Sequence, residues 1–427
     1  MQSETERLTA YRQLRTEIRS SERHLIVGLD IAKEKHYAFF GTATGQVLCK
    51  QFIFPNSKDG FELLLSRTEQ LRLQHHLDTV VFGMEPTANY HKPLADYLVR
   101  QEQQVVQVSG VAVKQNRELL DGRWDKHDRK DAANVADLIA QGKCQFYEYP
   151  SIEIRQLREL LSLKHKFKKE EHGLKTRIRN NLLAQFFPEM DQFINICQQD
   201  TLAVIGTCCA PEQISELDYE SFFGKVIPVY KGKRQEAHLM RIWQAAQNSI
   251  GCQCGDLANY EGQLLMQQLR SVGQLIRQIE ERIEVLCSGF AEYPCLLSIP
   301  GVGPDISSKL LAYIGDPHRF ETVSQVIKLA GLDLSASRSG KPAMKATPVI
   351  SKRGNADLRY ALYQAALVAS TKDNHFRCWL ARQLNGRERE QGILGIVRVK
   401  LASKLLVIAW TLMKNKEMFA YEKLNYS

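Results

Sequence analysis

Short apolar runs separated by polar turns follow a charged helical lead-in at 1–22. Runs this short predict β-strands rather than helices. Two of them, 24–30 and 79–85, are nearly continuous apolar runs that end in an acid, as expected of buried strands with a carboxylate at the carboxyl end. A hairpin comes first and strand–helix alternation follows, so the pattern predicts a mixed sheet with helices around it. The predicted strands are 24–30, 36–40, 47–54, 79–85 and 105–108.

Beyond residue 150 the apolar positions recur at three- and four-residue steps, which predicts long helices. One helix spans 151–187 and ends at Phe187-Pro188, because proline cannot continue the helical hydrogen bonding. A later helix has an alternating four-three heptad pattern, which predicts coiled-coil packing against the first helix, against another protomer, or both. The segment 190–258 between them is helical in parts and carries little motif information. The heptad positions are Leu265, Leu269, Val272, Ile276, Ile279, Ile283 and Leu286.

The last part of the chain predicts a mainly helical domain. An apolar residue and a Pro-Gly-x-Gly turn at 297–304 open a helix, as in a helix-hairpin-helix element. In such an element the backbone N–H groups near Gly301 and Gly303 hold a phosphate; an ordinary connection between two helices is the alternative. A polar loop follows at 331–342. The predicted helices of this part are 306–314, 320–330, 356–370 and about 397–414.

The expected fold class is therefore α/β plus α. The parts are a helical lead-in at 1–22, a sheet domain at 23–148, a helical coiled-coil region at 149–290 with an insertion at about 190–258, and a C-terminal domain at 291–427.

Composition narrows the class of protein. The chain has 427 residues, 44% hydrophobic and 25% charged, which is typical of a folded protein with more than one domain. The net charge of +9 and the clustering of basic residues indicate a polyanionic partner. The ten cysteines lack a zinc-binding spacing and predict reduced thiols in a cytoplasmic protein. No segment predicts a signal peptide or a membrane span.

The predicted helix at 151–187 carries nine cations between its apolar positions. Such a face is usually only solvated, but one this long could also follow a phosphate backbone. The nine are Arg155, Arg158, Lys164, Lys166, Lys168, Lys169, Lys175, Arg177 and Arg179, of which Lys164, Lys168, Lys175 and Arg179 are our candidate nucleic-acid contacts.

Four carboxylates stand out by their positions. Asp30 and Glu85 end predicted strands, at the edge where open α/β sheets place their ligands. Asp128 and Asp131 lie three residues apart at the start of a predicted helix, on one face of its first turn. Carboxylates that converge repel each other unless a cation lies between them, and oxygen ligands suit Mg²⁺, so the set predicts metal-dependent phosphoryl transfer. The alternative for Asp128 and Asp131 is that they only complement the helix N-terminus.

With these pieces in place, the chain resembles the DEDD-type insertion-sequence transposases and recombinases related to the Piv invertase, the IS110 type, which are guided by a bridge RNA. The resemblance covers about 25–185 and 290–415 and leaves 190–258 unaccounted for. It rests on the number and order of the motifs. These are GLDIAKE (28–34), MEPTANY (84–90), DRKDA (128–132), IPGVGP (299–304), IGD (314–316), RF (319–320), AGL (330–332), SG (339–340) and ISKRGN (350–355).

This resemblance implies a RuvC-like domain of the RNase H class at the N-terminus. Asp30, Glu85, Asp128 and Asp131 are then the catalytic ligands of Mg²⁺ or Mn²⁺. Asp125 and Asp137 are close in sequence, but they do not match the aspartate pair of the family.

The resemblance also implies a serine nucleophile in a Ser-Gly pair of the C-terminal domain, which corresponds to Ser339. The family usually has a proline near Leu334, which this chain lacks. Ser335 and Ser337 flank the position and are the alternative nucleophiles. Because the serine loop contains no histidine, the metal site is the natural activator of the hydroxyl.

The partners implied by the resemblance are donor and target DNA, a non-coding bridge RNA, and further copies of the chain. Composite active sites in a homodimer or homotetramer are expected, without a membrane, in a bacterial cytoplasm at the nucleoid. In this family the DNA target is selected by base pairing with the RNA. That agrees with a basic chain in which we recognise no module that reads DNA bases. The other candidate nucleic-acid contacts are Lys33, Lys126, Arg129, Lys352 and Arg353, beside Gly301 and Gly303.

Two other hypotheses compete with this one. A junction-resolving or RNase H-like nuclease would use water as its nucleophile and would not need Ser339. A non-catalytic nucleic-acid-binding scaffold would need neither the serine nor the carboxylates.

Overall fold

The computed structural model describes residues 4–19, 21–121, 128–193, 198–227, 232–253, 256–335 and 349–423, without the side chains at 117–121, 128–129, 198, 335 and 423. The chain divides into two compact units. Unit 1 comprises Met1–Ser151 and His318–Glu321, and unit 2 comprises Ile152–Pro317 and Thr322–Ser427. Among the described helices, none combines the length and the apolar character that crossing a membrane requires.

Unit 1 is built on a six-stranded mixed sheet. Its strands are β1 His24–Asp30, β2 Lys35–Thr42, β3 Val47–Pro55, β4 Thr79–Met84, β5 Gln104–Gln107 and β6 Gln145–Phe146, in the spatial order β3-β2-β1-β4-β5-β6. The first three strands are antiparallel, β4 and β5 run parallel to β1, and β6 is antiparallel to β5. The predicted mixed sheet is confirmed, and the predicted bounds of β1 agree with the structure.

Helices cover both faces of this sheet. They are α1 Glu4–Glu17, α2 Lys58–Gln74, α3 His91–Arg100, α4 Gly110–Asp121 and α5 Asp128–Ala140. Alternate residues of β1 enter two different cores: Val27 packs with residues of α2 and α3, whereas Ile26 packs with Val135 and Ile139 of α5. Burial on both faces explains why β1 is a continuous apolar run rather than an alternating one.

Unit 2 is mainly helical, as predicted. Its helices are α6 Ile152–Arg177, α7 Ala184–Phe186, α8 Gln198–Thr207, α9 Pro211–Ser215, α10 Tyr219–Val226, α11 Lys233–Gln247, α12 Leu257–Ser288, α13 Glu292–Leu297, α14 Pro304–Ile314, α15 Val323–Ala330, α16 Ala356–Lys372, α17 Asn374–Leu384 and α18 Ile393–Asn415. A π-helical stretch, Ile178–Leu183, joins α6 to α7, so one helical path ends at Phe187 as predicted. Two short strands, β7 Leu334–Ser335 and β8 Val349–Ile350, form a small antiparallel ladder.

The two longest helices of unit 2, α6 and α12, pack side by side. Lys164 pairs with Glu280, and Arg177 pairs with Glu261, so the helices run antiparallel. The heptad positions of α12 from Leu265 to Ile283 are buried. Packing of α12 against the 151–187 helix is thus one of the arrangements that the heptads predicted.

The segment 190–258 contributes α8 to α11 to a separate hydrophobic core. Phe187, Phe193 and Phe222 are fully buried there, together with Leu239 and the first turns of α12. The sequence predicted helix in parts of this segment but not a core. Its apolar residues come from several short helices, and only their tertiary packing reveals the cluster.

Two helix predictions in the C-terminal part need correction. The helix expected at 320–330 begins only at Val323, because Thr322 is extended and lies outside the helix. The helix α17 was not predicted, although Asp373 caps it by accepting a hydrogen bond from the backbone N–H of Phe376. The sequence did contain a signal for this helix, because Asp373 is a typical N-cap residue and the apolar residues Phe376 and Leu380 follow at helical spacing.

Candidate active site

Asp30 and Glu85 lie next to each other at one edge of the sheet. The parallel strands β1 and β4 pair in register up to Leu29 and Met84, and each carboxylate is the next residue of its strand path. Neighbouring strands are about 4.8 Å apart, and residues in register point to the same face. Both carboxylates therefore belong to the face on which Gly28 and Gly83, two residues earlier, meet α5.

Gly28 lets α5 lie unusually close to the sheet. A Cβ atom on Gly28 would overlap the carbonyl oxygen of Ala132 and would lie 2.7 Å from the amide nitrogen of Ala136. Asp131 immediately precedes Ala132 and is 7% exposed. The close approach therefore brings Asp131 to the same part of the sheet as Asp30, which is two residues from Gly28.

The predicted carboxylate set is partly described by the structure. Asp30 and Glu85 are half-buried and Asp131 is buried. Asp128 is the first residue of α5, but its side chain is among those not described, like that of Arg129. Asp125, Lys126 and Ser339 lie outside the described residues, as do Ser337 and Gly340.

The donor set fits a hard divalent cation. It consists of carboxylate oxygens, which Mg²⁺ and Mn²⁺ prefer. Glu85 forms no ion pair within the described part of the chain, so no protein cation there compensates its charge. Among the described side chains alone, no three acidic, histidine or cysteine groups are close enough to hold a metal ion. Asp30, Glu85 and Asp131 therefore do not by themselves form a ligand group in this structure.

Buried amides join the two helices that flank residues 122–127. Asn116 of α4 donates through Nδ2 to Asn134 Oδ1 (2.6 Å) and Asp137 Oδ2 (2.7 Å), both on α5. Asn134 in turn donates to the carbonyl oxygen of Val113 (2.7 Å). Asp137 is thus engaged in this network, while the network fixes the spacing of α4 and the start of α5.

The turn after Asp30 is also held from inside the domain. His36 is fully buried, and its Nδ1 accepts a hydrogen bond from the backbone N–H of Ala32 (3.3 Å). Asn56 donates through Nδ2 to the carbonyl oxygen of Lys33 (3.1 Å). Lys33 itself is exposed, so this turn presents a cation beside the carboxylates.

The base of the predicted serine loop is closely packed in unit 2. A Cβ on Gly331, where φ is +64°, would lie 2.5 Å from the amide nitrogen of Gly354. Ser351 donates through Oγ to Asp333 Oδ1 (2.6 Å), and β7 pairs with β8. Lys352 adopts a positive φ of 55° and is exposed, as is Arg353. The two predicted cations thus lie on a firmly held turn at the base of the loop.

The candidate cations of α6 and of the π-helical stretch each meet a carboxylate of the same chain. Lys164 is bound to Asp305 (2.7 Å) and Glu280 (3.0 Å). Burial disfavours its charge, but these two acids outweigh that effect and raise the pKa of Lys164. The remaining pairs are Lys168 with Glu171, Lys175 with Glu171, and Arg179 with Asp191. Lys164 is thus held in ion pairs within unit 2. Lys168, Lys175 and Arg179 form exposed ion pairs, which contribute little stability and could be replaced by contacts with phosphates.

The two glycines of the predicted helix-hairpin-helix turn differ. Gly301 has a φ of +85°, and a Cβ there would lie 2.6 Å from the carbonyl oxygen of Ala365, so it serves the close packing of α16. Gly303 caps α14 and has no atom within 4 Å of its missing Cβ. Asp305 follows in the first turn of α14, between Lys164 and Lys309. Phosphate binding by this turn remains a prediction.

Two family models match the chain. The first, a DEDD-type IS110 transposase model, matches residues 27–188, and the second, for transposases of the IS116/IS110/IS902 family, matches residues 293–379. Together they span more than half of the chain, including every candidate catalytic carboxylate and the candidate serine.

The chain belongs to the IS110 family of transposases. It is therefore an enzyme that cuts and rejoins DNA, and its DEDD-type family indicates the use of divalent metal.

Relatives agree with this family. An IS110 insertion-element protein of 43.6 kDa from Streptomyces coelicolor is 24% identical over 88% of this transposase and 92% of the relative. The transposase for insertion sequence element IS1328 of Yersinia enterocolitica is 30% identical over 39% of this chain and 49% of the relative. The pilin gene-inverting protein of Moraxella lacunata is 29% identical over 35% of this chain and 45% of the relative. The last two thus share less than half of their length with this chain.

Three features of the candidate site escaped sequence reasoning. They are the contact of Gly28 with α5, the amide network of Asn116 and Asn134, and the packing of Gly110 against Glu85. Glycine within an apolar strand signals the first, since it marks a place where another backbone comes close. Asparagines within helices gave a weaker signal for the second, and we know of none for the third.

Proposed function

We propose that this transposase has a RuvC-like catalytic domain in which Asp30, Glu85, Asp128 and Asp131 hold Mg²⁺ or Mn²⁺, and that Ser339 attacks the phosphodiester. The observation that carries the proposal is the register of β1 with β4. It places Asp30 beside Glu85 on the face where Gly28 admits α5 and Asp131. A mixed sheet with helices on both faces supports the RuvC-like assignment.

In this proposal the carboxylates and the basic residues have different roles. Asp30, Glu85 and Asp131 supply negative charge at the sheet edge, and Lys33 lies on the adjoining turn to receive a phosphate. The cation, when bound, would stabilise the charge that develops on the phosphodiester oxygens and activate the nucleophile. Lys352 and Arg353 would hold DNA phosphates at the base of the serine loop.

The serine step would conserve the energy of the phosphodiester bond. Bond formation between Ser339 Oγ and phosphorus breaks one P–O bond, and the leaving DNA strand end takes the proton as a free hydroxyl. Attack by a different DNA hydroxyl on the phosphoserine then reverses the reaction and joins a new pair of ends. Neither step needs an external energy source.

A covalent adduct tests the nucleophile. With a substrate nicked beside the cleavage site, the wild type should form a protein–DNA adduct that survives denaturing electrophoresis. Ser339→Ala should form none, while Ser335→Ala and Ser337→Ala should keep it. Strand cleavage that persists in Ser339→Ala would replace this proposal with a nuclease that uses water. Asp30→Asn and Glu85→Gln should abolish cleavage; full cleavage activity in both would contradict the metal site, whereas a wild type that binds but never cleaves DNA would favour a scaffold.

We further propose guidance by a bridge RNA. The net charge of +9 is compatible with binding a nucleic acid, RNA included. Sequencing of the RNA that co-purifies with the protein should recover one structured transcript from the flanks of its own gene. Recovery of only bulk cellular RNA would contradict RNA guidance without affecting the catalytic proposal.

Association of protomers is the last part of the proposal. The helix α12 also exposes apolar side chains outside its buried heptad positions: Leu257, Tyr260, Leu264, Leu275 and Val285. A groove of about 1090 Å³ between α6 and α12 is lined by Leu160, Leu163 and Leu286, with Arg282 and Glu281 at its rim. We propose that a second copy of this helix pair occupies the groove, whose lining carries both signs of charge.

The oligomeric state tests this surface. Val285→Asp together with Leu163→Asp should lower the molar mass measured by light scattering, whereas Ile53→Asp on exposed β3 should not. An unchanged mass in the double variant would exclude this groove as the interface.

A further inference from the structure

The loop that follows Glu85 carries an unusual backbone conformation. Ala88 has a φ of +43°, although the left-handed region costs a residue with a Cβ about 1–2 kcal/mol. Alanine has no polar side chain that could offset this cost locally. Residues 86–90 are all exposed, so burial of the loop does not explain the conformation. Conformations of this kind concentrate at ligand-binding sites.

The loop ends in an exposed aromatic ring. Tyr90 is 42% exposed and precedes α3 directly. Its backbone N–H donates to the carbonyl oxygen of Thr87 (3.2 Å), which ties the ring to the loop that contains Ala88. Within the part of the chain that the structure describes, its ring and its hydroxyl group contact no ring and form no side-chain hydrogen bond. Tyr90 is therefore an exposed aromatic surface five residues from Glu85.

A groove lined by several cations lies along α3, the helix that follows Tyr90. The groove, about 690 Å³, lies between α2 and α3 and is lined by Lys58, Lys92, Arg100, Phe61, Tyr97 and Asp96. Asp96 is bonded to both Arg100 and Tyr149, so its charge is already compensated. Lys58 is 79% exposed, and its nearest acid, Glu62, is 3.7 Å away. Among its lining residues the cations Lys58, Lys92 and Arg100 outnumber the acid Asp96, and Lys92 lies two residues after Tyr90.

We propose that Tyr90 is a stacking platform for an unpaired base, and that the α2–α3 groove binds the phosphates of the same strand. An aromatic ring beside spaced cations is the arrangement that binds single-stranded nucleic acid. A duplex hides the base faces, so it cannot use the ring. The inference rests on the proposed metal site only in placing this strand next to the site of cleavage. The strand is DNA opened at the cleavage site or a single-stranded part of an RNA.

Binding of short oligonucleotides tests the platform. Single-stranded DNA and RNA carrying 2-aminopurine, and the matching DNA duplex, are titrated with the protein in EDTA. Stacking on Tyr90 should change the fluorescence, and Tyr90→Leu should weaken single-strand binding about tenfold, because stacking contributes about 1–3 kcal/mol per base. Tyr90→Phe should bind like the wild type. Tyr360→Leu, which removes an exposed ring from α16, is the control.

Salt dependence tests the groove. The double variant Lys58→Ala, Lys92→Ala should lower the slope of log K against log salt by about 1.4, or 0.7 for each lost phosphate contact on a single strand. Lys50→Ala with Lys143→Ala, two exposed lysines elsewhere in unit 1, should leave the slope unchanged. DNA and RNA arms that differ tenfold or more identify which strand occupies the site.

The outcomes separate this inference from the proposed chemistry. Equal binding by wild type and Tyr90→Leu, or a tenfold loss of duplex binding in that variant, would overturn the platform. Because binding is measured in EDTA, and again in Asp30→Asn, it does not depend on cleavage. Full cleavage activity in Asp30→Asn would contradict the metal site and leave the platform standing.

Discussion

The carboxylate of Glu85 occupies the space that a side chain on Gly110 would need. A Cβ on Gly110 would lie 2.5 Å from Glu85 Oε1 and 3.5 Å from its carboxyl carbon. Gly110 is the first residue of α4, so a candidate metal ligand from β4 packs against the start of the helix that leads towards Asp128. The position of Glu85 thus depends on a residue 25 positions later that has no functional group.

Gly110→Ala should separate activity from stability. The new methyl group would displace the end of a flexible side chain rather than backbone, so the free energy of unfolding should change by less than about 1 kcal/mol. DNA cleavage should fall at least about tenfold, because an ångström-scale shift of a ligand disturbs the site. Gly173→Ala, in an open position of α6, is the control and should keep full activity. Full activity in Gly110→Ala would show that Glu85 tolerates displacement.

Gly28→Ala, unlike Gly110→Ala, should mainly lower the stability of unit 1. Its methyl group meets the backbone of α5, which cannot move without losing the packing of Val135 and Ile139. We expect a loss of about 3 kcal/mol or more in urea denaturation, as overpacking in a core causes. Gly303→Ala has free space and an ordinary φ of −92°, so it should unfold like the wild type.

Asn116→Ala should destabilise unit 1 through the amides of Asn134. The substitution removes the donor to Asn134 Oδ1, which is buried, and to Asp137 Oδ2, which keeps a hydrogen bond from Gln141; the unpaired Asn134 acceptor should cost about 1–3 kcal/mol. Replacing both asparagines with leucine should cost less than the sum of the single changes, because the two side chains form one network. Additive losses in chemical denaturation would show that the two amides act independently.

Lys352→Gly should raise stability while weakening DNA binding. Glycine adopts the observed φ of +55° without strain, which should add up to about 1 kcal/mol. The lost cation should weaken binding to all DNA sequences alike. Lys416→Gly, also at a φ of +55°, should give the same stability gain without the binding loss. Unaltered DNA affinity in Lys352→Gly would remove Lys352 from the interface.

The stability of unit 1 should fall in mild acid. Burial lowers the pKa of His36, so the unfolded chain takes up a proton before the folded one does. Stability is therefore complete above about pH 6.5 and is lost as the pH falls below it, by up to about 1.4 kcal/mol per pH unit for one histidine. His24 and His91 are shifted in the same direction by burial. His36→Gln should flatten the pH profile of thermal unfolding; an unchanged profile would assign the effect to the other two.

The sequence by itself determined the local elements. The run at 24–30 could only be a buried strand, and the acids at Asp30 and Glu85 followed from the strand ends. The start of α5 at Asp128 was readable in the same way, since helix formers and apolar spacing are local properties. The family motifs added the prediction that Ser339 acts together with these acids, because the order of several motifs is specific where a single motif is ambiguous.

Only the tertiary structure decided which of these groups meet. The sequence made Lys164 a candidate phosphate contact, yet Asp305, 141 residues away, binds its ammonium group. It gave no reason to connect Gly110 with Glu85 or Gly28 with Ala132, because a glycine's role depends on what approaches it. Charge and spacing along a chain fix what a side chain can do, whereas its partners are set by packing between distant segments, and those partners determine the geometry at the carboxylates.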